Sequence, residues 1–201
     1  RGPRKGWRVI TQAIAFVLDA LFHLFILAAL LRFWMQAFRA SARNPIAQFT
    51  MALTDFAVKP LRRILPGLLN LDWASLVVAF VFEFILQILL VLVSGLSLTP
   101  QLLSVLLFLA FVKLIRLSIY IFMGAIIIQA VLSWVNPHHP VAPFFHALTR
   151  PFLRPFQRAV PPIGGVDITP VLVLIALQLV LMLPVGWLEQ ETARMIQRAV
   201  L

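Results

Sequence analysis

Thirteen residues running from Thr54 to Pro66, Thr-Asp-Phe-Ala-Val-Lys-Pro-Leu-Arg-Arg-Ile-Leu-Pro, return 95 positions later as Thr149-Arg-Pro-Phe-Leu-Arg-Pro-Phe-Gln-Arg-Ala-Val-Pro161. Both copies lie between long apolar stretches, and an aspartate, Asp72 or Asp167, follows each. Laid over one another without gaps, Pro45 to Val78 and Pro140 to Val173 agree at about a third of positions, more than shared composition explains. A duplicated membrane unit is therefore the frame into which the chain has to fold.

The apolar stretches set the solvent. Four of them, about Val9 to Phe38, Trp73 to Leu96, Leu102 to Val135 and Ile168 to Leu188, reach the roughly 20 residues that a helix needs to cross a hydrocarbon core of about 30 Å. The third is too long for one perpendicular span and too short for two. With 62% hydrophobic and only 12% charged residues, the chain lacks the polar surface of a water-soluble domain of its length. Trp7, Trp34, Trp73, Trp134 and Trp187 all stand near the ends of these stretches, where an amphipathic ring belongs at the headgroup level. The first stretch is about twice as long as a signal-peptide core and reads as a retained span.

Each half thus runs span, basic linker, span, which predicts two units, residues 1–96 and 97–201. Two spans per unit put both linkers, residues 39–72 and 136–167, on one face. The linkers carry eight basic residues (Arg39, Arg43, Lys59, Arg62, Arg63, Arg150, Arg154 and Arg158) against six in the two tails, which favours cytoplasmic linkers. In a soluble protein the net charge of +10 would suggest nucleic acid; here the cations flank spans and point to anionic headgroups instead.

Ile46, Phe49, Leu53 and Phe56 recur at spacings of three and four, the stripe of a helix lying on an apolar surface, and Val141, Phe144, Phe145 and Leu148 repeat it. Prolines follow, Pro60 and Pro66 in one copy and Pro151, Pro155 and Pro161 in the other, and are expected to end or kink these helices. The repeated interfacial motif is then Lys59, Pro60, Arg62, Arg63 and Pro66 with Arg154, Pro155, Arg158 and Pro161. Gly67 and Gly164-Gly165 permit a tight return to the next span. Asp72 and Asp167 stand where a carboxylate caps the free donors of a new helix.

Asn44-Pro45, Phe49, the run from Lys59 to Pro66 with Asp72 and Ser75, and in the second copy Arg154-Pro155, Arg158, Pro161 and Gly164 to Pro170, together resemble the duplicated motif of the YggT family, whose Gram-positive and plastid relatives are called YlmG and CCB3. The resemblance runs from about Val17 to Met182. It implies a bacterial inner-membrane protein without an established reaction, associated with osmotic or salt tolerance, envelope and division-related organisation and, in plastids, assembly of cytochrome b6f haem. Two departures, Phe56 opposite Pro151 and Gln157 in place of one arginine of the pair, argue against functional equivalence of the copies.

No nucleophile elbow, Walker loop, dinucleotide fingerprint or H-E-x-x-H occurs, so an enzyme is not expected. The chain has no cysteine, which excludes disulfides, zinc-thiolate sites and iron-sulfur clusters. His138, His139 and His146 lie in a proline-rich turn without nearby carboxylates, and His23 is the one histidine within a span, so neither a metal nor a bis-histidine haem is expected as cofactor. Asp19, His23, Glu83, Lys113 and Arg116 form an intramembrane polar set, expensive in hydrocarbon unless each finds a partner. At 1.5 Å per residue from the linker side, Asp19 lies about 26 Å deep, Arg116 about 29 Å, His23 about 20 Å and Glu83 about 15 Å, which pairs Asp19 with Arg116 and His23 with Glu83.

The predicted fold is an all-α membrane protein with four transmembrane helices in two tandem hairpin repeats, each with an interfacial amphipathic helix. The expected role is non-enzymatic assembly or organisation, with anionic lipid headgroups and another membrane protein as partners and no nucleic acid; the rival is a small channel or transporter component moving ions under osmotic stress. Topology is directly testable because the chain is cysteine-free. With cytoplasmic linkers, single cysteines at Ser41 and Ala142 resist a membrane-impermeant thiol reagent in intact cells while one at Ser97 is labelled. Opposite labelling at Ser41 and Ala142 would contradict the duplication frame.

Overall fold

A computed structural model describes residues 4–65, 67, 71–160 and 167–200, with side chains from Val9 to Ala199. Pro66, Pro161 and Gly164-Gly165 lie outside the described residues, as does the side chain of Trp7. Among the described residues the chain is helical: α1 (Arg4–Ala37), α2 (Pro45–Arg62), α3 (Trp73–Val93), α4 (Pro100–Val135), α5 (Ala142–Ala159), α6 (Thr169–Val180), one π-helical turn (Leu181–Val185) and α7 (Gly186–Val200). Four helical stretches, Val9–Ala37, Trp73–Val93, Pro100–Val135 and Thr169–Ala199, are long and apolar enough to cross a membrane.

Local sequence sets most of the boundaries. Asn44 starts α2 by accepting from the Ala47 N–H at 2.9 Å, with Pro45 at the first helical position, and Thr99 starts α4 by accepting from Leu102 at 3.1 Å, with Pro100 in the same place. The helix α1 closes in a Schellman motif, Ala40 N–H to Met35 O at 2.8 Å and Arg39 N–H to Gln36 O at 3.1 Å. That motif needs a left-handed residue, and Arg39 supplies it at φ 53°, a conformation costing an L side chain about 1 kcal/mol.

The prolines do not end the helices that contain them. The α2 helix passes Pro60 and reaches Arg62, and α5 runs through Pro151 and Pro155 to Ala159. Each proline deletes one bond to the carbonyl four residues earlier, and all three prolines are exposed. Pro184 is absorbed differently. The π-helical turn around it lets the fourth stretch continue as helix past Leu188, with Leu181 and Val185 buried against Val112 and Ile119 of α4.

Helices α1, α3 and α4 share the largest core, in which Ala29, Ala74 and Ala79 are fully buried and let the backbones approach closely. The rings of Phe25 and Phe82 lie 4.2 Å apart across it. Both short helices sit at one end of the bundle: Ala47 of α2 and Phe144, Phe145 and Leu148 of α5 join Met35 and Ala125 in a second core. The two short helices bury one common row, Thr50, Thr54 and Val58 in α2 and Phe145, Thr149 and Leu153 in α5, and differ at its edge: Phe49 is 61% exposed whereas Phe144, 95 positions on, is 2% exposed.

The polar groups inside the apolar helices pair otherwise than their depth predicts. Asp19 bonds to His23 one turn along α1 at 3.2 Å, not to Arg116. Arg116 instead meets Glu189 of α7 and the Tyr120 hydroxyl at 3.1 Å. The depth argument failed there because it stopped the fourth span at Leu188, leaving Glu189 outside; the continued helix brings that carboxylate against α4. Glu83 is fully buried and accepts from Gln87 at 2.7 Å, with His23 and Lys113 acting on it only through space. Lys113 itself is half-buried in α4. Removing one partner of the α4–α7 pair strands the other, so Arg116→Gln and Glu189→Gln are expected to couple by on the order of 1 kcal/mol. Unfolding of the two single variants and the double variant in detergent measures this, and strict additivity would rule the pair out.

Candidate functional site

The densest polar constellation lies where the end of α1, the length of α2 and the start of α3 converge. Its centre is Arg32, an arginine inside an apolar helix and only 6% exposed. Its Nη1 donates to the Thr54 hydroxyl at 2.9 Å and to Asp55 Oδ1 at 2.8 Å, while its Nε lies 3.5 Å from Asp72 Oδ2. Asp72 is 2% exposed and receives both Nε and Nη2 of Arg62, a fork-on-carboxylate geometry. The same carboxylate accepts from the Ser75 hydroxyl at 2.6 Å and the Ser75 N–H at 3.4 Å, which makes it the cap of α3. Lys59 reaches back one turn to Asp55 at 2.7 Å.

The electrostatics follow from these contacts. Burial pushes the Asp72 carboxyl up, but the hydrogen bonds from Arg62 and Ser75 outweigh it and hold the group below the usual carboxylate range. The bond from Lys59, aided by Arg32, holds Asp55 low as well. Both acids are therefore ionised at neutral pH and hold their arginines in place. In front of them opens a cavity of about 550 Å³ lined by Arg32, Met35, Gln36, Arg39, Met51 and Arg62. Arginine stays protonated, so the cavity wall offers fixed positive charge and hydrogen-bond donors.

The second half builds matching contacts with neutral side chains in place of the two arginines. Thr149, buried like Thr54, donates to Gln129 Oε1 where Thr54 meets Arg32. Gln157 donates to Asp167 at 3.0 Å where Arg62 holds Asp72. Asp167 accepts from the Thr169 N–H at 2.9 Å, one residue before the formal cap position of α6. Burial raises its carboxyl and the bonds from Thr169 and Gln157 lower it further than that, a direction shared with Asp72. His146 lies 3.3 Å from Gln129, and His139 accepts from the Val141 N–H.

The motif residues divide accordingly. All of Lys59, Pro60, Arg62, Arg63, Arg154, Pro155 and Arg158 are exposed; Arg62 is engaged by Asp72 and Lys59 by Asp55, whereas Arg63, Arg154 and Arg158 have no ion pair among the described residues. Pro66 and Pro161 are outside the described part. The intramembrane set of Asp19, His23, Glu83, Lys113 and Arg116 does not join this site. Sequence reasoning missed Arg32, Thr54 and Asp55. The signal was there in Arg32, an arginine six residues before the end of an apolar stretch, where an ionisable group needs a partner.

Breaking the centre has a sign that pH checks. Asp72→Asn removes the charged acceptor of Arg62 and the counter-charge beside Arg32, and is expected to lower stability by about 2–3 kcal/mol. In the parent, the lowered acid contributes stability fully above the unfolded carboxyl value of about 4, and that stability is lost as pH falls through the folded value below it. Unfolding in detergent between pH 7 and pH 3 therefore drops more steeply for the parent than for Asp72→Asn; equal profiles would exclude the role assigned to Asp72.

The model of one family, described as CCB3/YggT, matches residues 11–93 and again residues 108–188. An uncharacterised protein of Vibrio alginolyticus, encoded in the proC 3′ region, is 34% identical over 171 residues, covering 83% of this chain and 90% of its own. An uncharacterised protein of Pseudomonas aeruginosa is 33% identical over 185 residues, covering 91% and 93%. The uncharacterised protein YggT of Escherichia coli K12 is 32% identical over 186 residues, covering 92% and 95%. No solved structure matches the chain.

Proposed function

Because the chain belongs to the CCB3/YggT family, we propose that it is a multi-pass protein of the bacterial inner membrane that organises or assembles other membrane components, without enzymatic turnover and in support of osmotic stress tolerance. On this reading the two halves are tandem hairpins, α2 and α5 lie in the interface, and the linkers face the cytoplasm. The double match of one family model and the placement of both short helices at one end of the bundle support it.

One observation carries the organising role. A groove of about 590 Å³ opens between α1, α3 and α4, walled almost wholly by apolar side chains, among them Phe33, Trp34, Trp73, Phe80, Phe111 and Phe122. Trp34 is held by its Nε1 donating to the Ser118 hydroxyl at 3.0 Å, and its ring packs edge-on against Phe122 at 4.9 Å. Rings fixed in this way form a rigid surface that loses little entropy on docking and supplies aromatic anchors. The occupant we assign is a transmembrane helix of a partner protein, since packing of preformed surfaces drives helix association in lipid.

The channel reading needs polar groups in file through the bundle. Here Asp19, His23 and Lys113 act through space on the buried Glu83, which Gln87 bonds, while Arg116 pairs apart from them with Glu189 between α4 and α7. A photo-crosslinking amino acid at Phe111 is expected to yield a discrete protein adduct in cells, and one at the exposed Phe16 of α1 is not. Lipid adducts alone at both positions would defeat the docking role. Ion flux in proteoliposomes of the purified protein, abolished by Glu83→Gln, would establish transport instead.

A further inference from the structure

We propose that the cavity bounded by Arg32, Gln36, Arg39 and Arg62 binds a single phosphate group, and that only the first half of the chain carries such a site. Among the described residues three guanidinium groups line this cavity and no carboxylate does. The two acids of the constellation stand behind it, each already engaged: Asp55 by Arg32 and Lys59, Asp72 by Arg32, Arg62 and Ser75. Counting Arg32, Arg39, Lys59 and Arg62 against Asp55 and Asp72 leaves two positive charges uncompensated. The acids fix the inner arginines in position, so an incoming anion meets donors that are already oriented. Planar guanidinium forks match the paired oxygens of phosphate.

The two arginines of α1 differ in how they are held. Arg32 is buried, its Nε lying 3.5 Å from Asp72 without a hydrogen bond among the described residues. Arg39, whose side chain has no partner among the described residues, is held at the mouth by the left-handed turn that closes α1. The same turn closes α3 at Gly95, φ 75°, where a residue without Cβ meets the requirement free of strain. Arginine in that position at the end of α1 is unfavourable for the backbone and is accounted for by what its side chain faces.

The second half is an internal comparison. Its matching cavity, about 400 Å³, is lined by Gln129, Leu132, Ser133, Pro137 and His146 among others and by no arginine. Gln129 stands against Thr149 as Arg32 does against Thr54, and Gln157 against Asp167 as Arg62 does against Asp72. The duplicated contact pattern is thus kept while the charge that would hold an anion is confined to one copy. The phosphate has two sources, the headgroup of a glycerophospholipid or inorganic phosphate, because the cavity sits at the ends of apolar helices and also opens outward.

The experiment uses the full chain in a phosphate-free maltoside micelle, titrated separately with short-chain phosphatidylglycerol and with inorganic phosphate, binding being read from intrinsic tryptophan fluorescence. Saturable binding at one equivalent is expected, weakened about tenfold by Arg39→Gln, the loss of one charged hydrogen-bonding group. Arg154→Gln removes the same charge from an exposed position in the second half and is expected to change affinity less than twofold. Arg39→Gly is expected to weaken binding equally while raising the thermal midpoint of the ligand-free protein, which separates loss of the ligand contact from loss of the fold. Saturation by the lipid alone assigns the headgroup, and saturation by inorganic phosphate assigns the free ion; either sustains the site. Equal weakening by Arg39→Gln and Arg154→Gln would reduce the effect to diffuse surface charge and overturn the proposal, as would the absence of saturable binding of both probes.

Discussion

One carboxylate ties the first half of this molecule together. Asp72 caps α3 through Ser75, accepts both donors of Arg62 from the end of α2, and lies within ion-pair distance of Arg32 in α1. Three helices that share few other polar contacts are referenced to a single buried charge. That charge is stable only because its partners surround it: an isolated carboxylate so far from water would take up a proton. The direction of α2 across the bundle end, the position of Arg62, and the cavity in front of them all descend from this arrangement. The second half keeps the framework with amides and hydroxyls, which bond without demanding counter-charge.

Much of this was legible in the sequence, and the illegible part has physical causes. Apolar length located four spans to within a few residues at most ends, and the aspartate after each motif did mark the start of a helix. At Pro60, Pro151 and Pro155 an end or a kink was expected, and the helices run on past all three; the sequence records the missing donor and says nothing about which face it is on. Pairing by depth misled for a similar reason. It ranked Asp19, His23, Glu83 and Arg116 along the membrane normal and ignored azimuth, which only packing decides. Local pairs such as Asp19 with His23 then won, because a turn of helix already brings them together.

The two copies have diverged in what they bury as well as in charge. Phe49 faces outward while Phe144 is packed inside, although both occupy the same place in the repeated motif. The row of Thr50, Thr54 and Val58 is nevertheless buried again as Phe145, Thr149 and Leu153, so the copies share one inward row and differ at its edge, where each copy's own neighbours decide what is covered.

The four apolar helices also differ in height. At 1.5 Å per residue, α4, with 36 residues, stands about 54 Å long and α3, with 21, about 32 Å. A hydrocarbon layer of about 30 Å matches the second and not the first, and tilts up to about 40° do not remove the difference. The helix α1, with 34 residues, and the fourth stretch, with 31, outreach the layer as α4 does, so α3 alone among the four matches it, and the rim of the molecule is uneven in height.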